Sequence, residues 1–165
     1  HGKMHVAREA LISQICIERS IPLSVLRPTL IYGPGDTHNG YGPNKFLRRV
    51  ANGEPIELFG FGEEKRDHIF IEDVANLVLA CVQKRAVGEF NLATGTLFSF
   101  LQIAQMLCGA LPNEEAKINF IDRIGPMQHN GYRALDNTLT RKTFKDFNFT
   151  SMEDGLRQTI SHLNI

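Results

Sequence analysis

Short β-favouring runs and helical stripes alternate along the whole of this 165-residue chain, and that alternation confines it to the α/β class. Met4 to Arg19 carries Val6, Ala10, Leu11, Ile15 and Ile17 and reads as a helix with broad apolar coverage. No capping residue precedes it. The expectation is a chain that begins inside an element of a larger fold and has lost an N-terminal part. Pro22 ends the helix. Leu23 to Leu26 and Leu30 to Tyr32 are brief strands parted by Arg27-Pro28, and Gly33-Pro34-Gly35-Asp36 is a tight turn. Asn44 is placed to cap a helix over Lys45 to Ala51, closed by Asn52-Gly53. Strands follow at Glu57 to Phe59 and His68 to Ile71. Asp73 reads as the cap of a helix from Val74 to Gln83, striped by Val74, Leu77, Val78 and Cys81. Beyond it come a strand at Glu89 to Ala93 and a helix at Phe98 to Cys108 with Ser99 as cap. A strand at Lys117 to Ile121 and a short helix at Leu139 to Phe144 follow, then a last helix, introduced by Ser151, that reaches Leu163. The strands are short, so a small, mixed sheet is expected.

Charge and cysteine usage exclude several classes. Eighteen basic residues balance eighteen acidic ones, so no net field draws the chain to nucleic acid or to a membrane surface. Any anion must be held by a local site. No apolar run reaches membrane-spanning length, and the N-terminal residues show no signal-peptide pattern. Cys16, Cys81 and Cys108 are odd in number, lie in apolar stretches and form no C-x-x-C pair. They predict buried free thiols in a reducing cytoplasm, with neither disulfide nor metal site. The loop holding Gly33, Gly35, Gly40 and Gly42 lacks the G-x-G-x-x-G spacing, so it is not read as a dinucleotide cradle.

Four blocks occur in order between Leu26 and Val74: Leu-Arg-Pro-Thr-Leu-Ile-Tyr-Gly-Pro-Gly-Asp, Pro-Asn-Lys-Phe, Pro-Ile-Glu-Leu-Phe-Gly-Phe-Gly and Lys-Arg-Asp-His-Ile-Phe-Ile-Glu-Asp-Val. In that order and spacing the sequence resembles the extended short-chain dehydrogenase/reductase family, and within it the NAD-dependent nucleotide-sugar epimerases and dehydratases. The resemblance continues through Glu89-Phe-Asn-Leu-Ala-Thr-Gly and covers almost the whole chain. It implies the C-terminal part of a Rossmann-type fold with a small mixed α/β substrate-binding domain. Residues 1–35 would be the last helix and strand of the Rossmann part, and residues 36–165 the nucleotide-sugar-binding region. The function implied is the substrate-binding portion of a UDP-glucose 4-epimerase-like or dTDP-glucose 4,6-dehydratase-like enzyme. The partners implied are a UDP- or dTDP-sugar, an N-terminal Rossmann half and a second copy in a homodimer, all in the cytoplasm. NAD(P) belongs to the complete protein; this chain alone is expected to be inactive and to hold none. The alternative is a non-catalytic nucleotide-sugar-binding or scaffold member of the same fold.

The same resemblance assigns residues. The family's Tyr-x-x-x-Lys pair, followed by a Glu four residues on, falls on His1, His5 and Glu9. His1 and His5 therefore stand at the catalytic positions, with His5 also on the cofactor side beside Pro28, Thr29 and Leu30. The i, i+4 spacing puts both histidines on one helical face; other readings are helix-end residues without a role, or a metal pair lacking a third ligand. Leu30 stands where many family members have an Asn that contacts substrate. Arg66 matches the arginine that grips the diphosphate, for which a guanidinium fork is suited; the alternative is an ion pair with Asp67 or Glu64. Asn44 and Lys45 match the junction that meets the diphosphate. Phe59 matches the strand beside the base, the alternative being a core residue, and His129 and Arg133 match the late loop, Met127 to Arg133, that closes over the nucleotide. Asp67, Glu72 and Asp73 are read as structural.

Overall fold

The computed structural model describes residues 2–37, 40–111 and 116–162. Its elements run α1 (Gly2–Glu18), β1 (Ser24–Pro28), β2 (Leu30–Tyr32), α2 (Pro43–Ala51), β3 (Ile56–Phe59), β4 (Lys65–Phe70), α3 (Ile71–Lys84) and β5 (Gly88–Leu92). Then come β6 (Leu97–Ser99), α4 (Phe100–Ala110), β7 (Ile118–Ile121), a 3-10 turn (Gln128–Gly131), β8 (Tyr132–Arg133), α5 (Thr138–Thr143) and α6 (Met152–His162). The α/β class expected from the alternation is what forms. Parallel pairs join β1 to β5, β2 to β4, β3 to β7 and β4 to β8, while β4 and β6 run antiparallel. The sheets are small and mixed, as the short strands require. Strands β1 and β2, from the part read as Rossmann, pair with strands from beyond residue 36.

Strand β4 organises the interior. Its alternating side chains feed opposite faces, so Phe70 and Ile69 enter different cores. One core gathers Tyr32, Phe46, Leu47, Ile56, Leu58, Phe70, Phe100, Ile103, Leu107 and Leu156. The other gathers Ile69, Leu77, Cys81, Phe90, Leu92 and Phe144. Only Cys81 of the three thiols is buried; Cys16 and Cys108 are half-buried.

Helix caps divide into those read rightly and those not. Ser99 caps α4 in a closed box: its Oγ accepts from Gln102 N–H (3.1 Å) and its own N–H donates to the Gln102 side chain (2.8 Å). Ser151 Oγ accepts from Asp154 N–H at 3.1 Å at the start of α6. Asn44 is not a cap. Helix α2 begins at Pro43, where a missing N–H costs nothing, and Asn44 turns back to clamp Gly33, accepting from its N–H (3.1 Å) and donating to its carbonyl (2.7 Å). Asp73 is not a cap either. It lies inside the first turn of α3 and accepts from Thr150 N–H and Oγ1, both at 2.8 Å. In both cases a partner distant in sequence outcompetes the local one. The pairing of β6 and β8 with β4 gave no sequence signal, because each is too short to show a period.

Helix α1 buries none of its residues; Met4, Val6, Leu11 and Ile17 are all largely exposed. Its broad apolar coverage is therefore left mostly exposed among the described residues. Glu9 anchors it through an ion pair with Arg27, which also holds Glu89 at 2.7 Å. No described helix is long and apolar enough to cross a membrane.

Helix α6 packs its Gly155 directly on Tyr32. A Cβ at that position would stand 2.1 Å from the Tyr32 hydroxyl oxygen, well inside contact distance. Gly155→Ala is expected to destabilise the chain by about 1–3 kcal/mol through overpacking, outweighing the roughly 1 kcal/mol that alanine gains in a helix. Thermal melting followed by circular dichroism checks this; an unchanged or raised Tm contradicts it.

Candidate functional site

Between the end of β2, the start of α2 and strand β4 lies an open cleft of about 870 Å³. Its floor is set by the alternation along β4, which turns Arg66 and His68 to the cleft and Asp67 away. Arg66 is 5% exposed. It donates to Glu64 (2.7 Å), to the Gln128 carbonyl (3.0 Å) and to the Lys65 carbonyl (2.9 Å). A guanidinium offers about five N–H groups, so donor capacity remains beyond these bonds. Glu64 is shared: its other oxygen pairs with Arg123, which also donates to the Phe59 carbonyl at 3.1 Å and reaches Glu63 at 3.5 Å. Glu64 thus holds both guanidiniums side by side at the middle of the cleft, with Glu63 as a second, longer partner of Arg123.

Aromatic rings shape the rest. Tyr41 lies 4.5 Å from Phe100, 5.1 Å from Phe59 and 5.3 Å from Phe46, centroid to centroid. Its hydroxyl accepts from Phe59 N–H at 3.2 Å, fixing Phe59 at the cleft edge, and burial pushes that phenol up to about 12. Across the cleft, His129 and Asn130 both hold left-handed backbone angles, φ 52° each. Asparagine and histidine are both among the residues that adopt that conformation more readily than most, and the turn presents the Gln128 carbonyl to Arg66.

Asp67 points away and is structural. Its carboxylate accepts from Thr94 N–H (3.0 Å), Thr94 Oγ1 (2.8 Å) and Gly95 N–H (2.7 Å). Burial still raises its pKa, against the pull of those donors. His68 is 4% exposed, and neither ring nitrogen has a hydrogen-bond partner. Burial depresses it to about 4; the Arg66 backbone opposes this, and the Arg66 charge adds to it.

Thr29, Leu30, Asn44, Phe59, Arg66, His129 and Arg133 all line the cleft. The other assigned positions do not. His1 lies outside the described residues. His5 is exposed on α1, where its Nδ1 stands 2.7 Å from the Arg8 guanidinium. Pro28 is exposed at the end of β1, and Lys45, half-buried on α2, is not in the lining. The Arg66–Glu64 pair, weighed above as an alternative to a ligand role, is present and buried. Arg123, Tyr41 and His68 also line the cleft, and the sequence pattern does not mark them. Arg123 follows a strand with no motif around it, and His68 sits inside a block whose other residues drew the assignment.

The sequence model of the NAD dependent epimerase/dehydratase family matches residues 2–93. The chain belongs to that family. It is 30% identical over 145 residues to the low-salt glycan biosynthesis protein Agl12 of Haloferax volcanii, covering 82% of this chain and 44% of that protein. It is 28% identical over 134 residues to a dTDP-L-rhamnose 4-epimerase of Burkholderia thailandensis, covering 78% and 37% respectively. The chain thus spans less than half the length of these curated relatives. In fold it resembles a UDP-N-acetylglucosamine 4-epimerase from Methanobrevibacter ruminantium M1 solved with UDP-N-acetylmuramic acid (TM-score 0.81, 20% identity, 96% of this chain and 51% of that one). A Thermotoga maritima UDP-glucose 4-epimerase solved with UDP-glucose gives TM-score 0.79 at 22% identity, over 96% and 51%.

Neutral His68 ties stability to pH. Its folded value lies near 4 against 6.5 in the open chain. This group's contribution is complete above pH 6.5 and is lost as pH falls towards 4. Between pH 7 and pH 5 that loss is about 2 kcal/mol. The raised carboxyls of Asp67 and Asp73 work in the opposite sense at acid pH, so the comparison must isolate the histidine. Urea unfolding at both pH values should show His68→Phe losing about 2 kcal/mol less on acidification than the parent chain. Equal losses contradict the assignment.

Proposed function

We propose that the cleft binds a nucleotide sugar, UDP- or dTDP-linked, as the substrate half of an NAD-dependent epimerase/dehydratase. The observation that carries this reading is the pair of guanidiniums, Arg66 and Arg123, held side by side on the Glu64 carboxylate at the cleft's centre. A diphosphate is the ligand that such a pair fits, through forked, charge-assisted hydrogen bonds. Phe59, exposed at one edge, offers a ring to the base, and His129 and Arg133 on the facing loop close over the nucleotide. The cleft volume suits a ligand of this size. Asn44 serves from behind, holding Gly33 against α2, with its amide already bonded at both ends.

The described residues do not themselves make a cofactor site. Thr29 Oγ1 is committed to the Asp67 carbonyl at 3.0 Å, and His5 stands with Arg8 away from the cleft. On this reading NAD is held by a Rossmann half, in keeping with relatives of which this chain spans less than half. The second reading, a non-catalytic nucleotide-sugar-binding member, draws on that exposed His5 at the family's lysine position. Protein carrying this chain, given NAD and a sugar nucleotide, separates the two: the first reading requires a hydride to pass from the sugar carbon to NAD, leaving a keto-sugar, and the second requires none.

Calorimetric titration with UDP, dTDP and their glucose conjugates tests the cleft. Arg66→Ala removes charge-assisted bonds worth about 1.5–3 kcal/mol each, so affinity for every one of these ligands should fall by about ten- to a hundredfold. Glu64 keeps Arg123 as partner, so the variant should fold. Unchanged affinity in the variant, or no binding by the parent chain, overturns the reading.

A further inference from the structure

His68 is the one buried polar side chain whose ring nitrogens find no partner among the described residues. An orphaned buried donor and acceptor is costly, and such groups in native proteins are met by water or ligand. The Arg66 backbone approaches the imidazole without completing a well-formed hydrogen bond. Tyr32 and Phe100 pack on it edge-on at 6.4 and 6.0 Å. Above its Nε2 lies the backbone of Gly42, where a Cβ would stand 3.7 Å away; Gly42 has none, and its φ of 143° disfavours any residue that does.

The order of residues along the cleft gives the imidazole a place. Arg123 bonds to the Phe59 carbonyl and to Glu64, and Glu64 bonds to Arg66. His68 follows two residues after Arg66 on the same face of β4, about 7 Å further along. Its register partner on β2 is Leu30. With the base at Phe59 and the diphosphate at the two arginines, the next group along the cleft is the sugar. At that end Leu30 contributes no hydrogen bond, so the one polar side chain of the pair is its neighbour.

We propose that His68 is the residue that reads the sugar: a neutral imidazole hydrogen-bonding a hydroxyl of the pyranose ring, beside an apolar Leu30. The inference rests on the nucleotide-sugar reading of the cleft. A neutral imidazole both donates and accepts, so it can match a hydroxyl in either sense, and its neutrality avoids a third cation beside Arg66. The competing account is water, supplied from a second cavity of about 330 Å³ that shares only His68 with the cleft.

The test titrates the chain and its His68→Phe and His68→Gln variants with UDP and dTDP, and with glucose, N-acetylglucosamine and glucuronate conjugates. His68→Phe should bind the bare diphosphates within about twofold of the parent and the preferred conjugate about tenfold more weakly. His68→Gln should recover part of the difference. His68→Phe should also melt higher than the parent, since a similarly shaped apolar ring removes the orphaned nitrogens. In the parent chain, the ¹⁵N resonances of the His68 ring should move on adding the conjugate and stay put with UDP or dTDP. Equal weakening of conjugate and bare diphosphate overturns the inference, as does no weakening or a parent chain that prefers no conjugate. Ring resonances indifferent to the sugar assign the imidazole to water and overturn it too. Failure of the parent to bind even UDP or dTDP is a different result: it removes the nucleotide-sugar reading and this inference with it.

Discussion

Strand β4 takes Arg66, Asp67 and His68 out of water in succession, and the rest of the structure follows from how each is met. Burying a charge costs several kcal/mol unless it is paired and hydrogen-bonded. Asp67 is met by three donors from the Thr94–Gly95 turn, which fixes the path from β5 into β6. Arg66 is met by Glu64 and by the Gln128 carbonyl, which fixes the loop across the cleft. The ring nitrogens of His68 make no well-formed hydrogen bond with any described residue. A strand at the centre of two cores would ordinarily be apolar. That this one is not marks it as the place where folding and binding share the same residues.

The cleft is thus a product of pairing. Glu64 holds two arginines whose chain positions are far apart: Arg123 lies 59 residues from it. The carboxylate sets their spacing, and each guanidinium has more N–H groups than its protein partners use. Tyr41, Phe59 and Phe100 supply an apolar wall close by, where weaker screening strengthens any contact with an anion.

Much of the fold was legible because it depends on local pattern. The alternation of elements, the Ser99 cap and most strand positions follow from periodicity and from side chains competing for nearby N–H groups. Asn44 and Asp73 were misread for one reason: each looks like a cap, and each is claimed by a partner 11 or 77 residues away. The site divides in the same way. Arg66, Phe59 and Leu30 lie in recognisable blocks, His129 and Arg133 on a late loop assigned by resemblance, and all five line one cleft. Arg123 and Tyr41 acquire meaning only through contacts across the fold. His68 stood in plain view in the Lys-Arg-Asp-His run, but only its burial without a partner distinguishes it from an ordinary strand residue.

The central claim is that Arg66 and Arg123 form a diphosphate cradle around Glu64. The most direct measurement is a crystal structure of the chain with UDP bound. The account predicts diphosphate oxygens within about 3 Å of guanidinium nitrogens of Arg66 or Arg123, with the uracil ring beside Phe59. A diphosphate lodged elsewhere, with both arginines bonded only to protein, would contradict it.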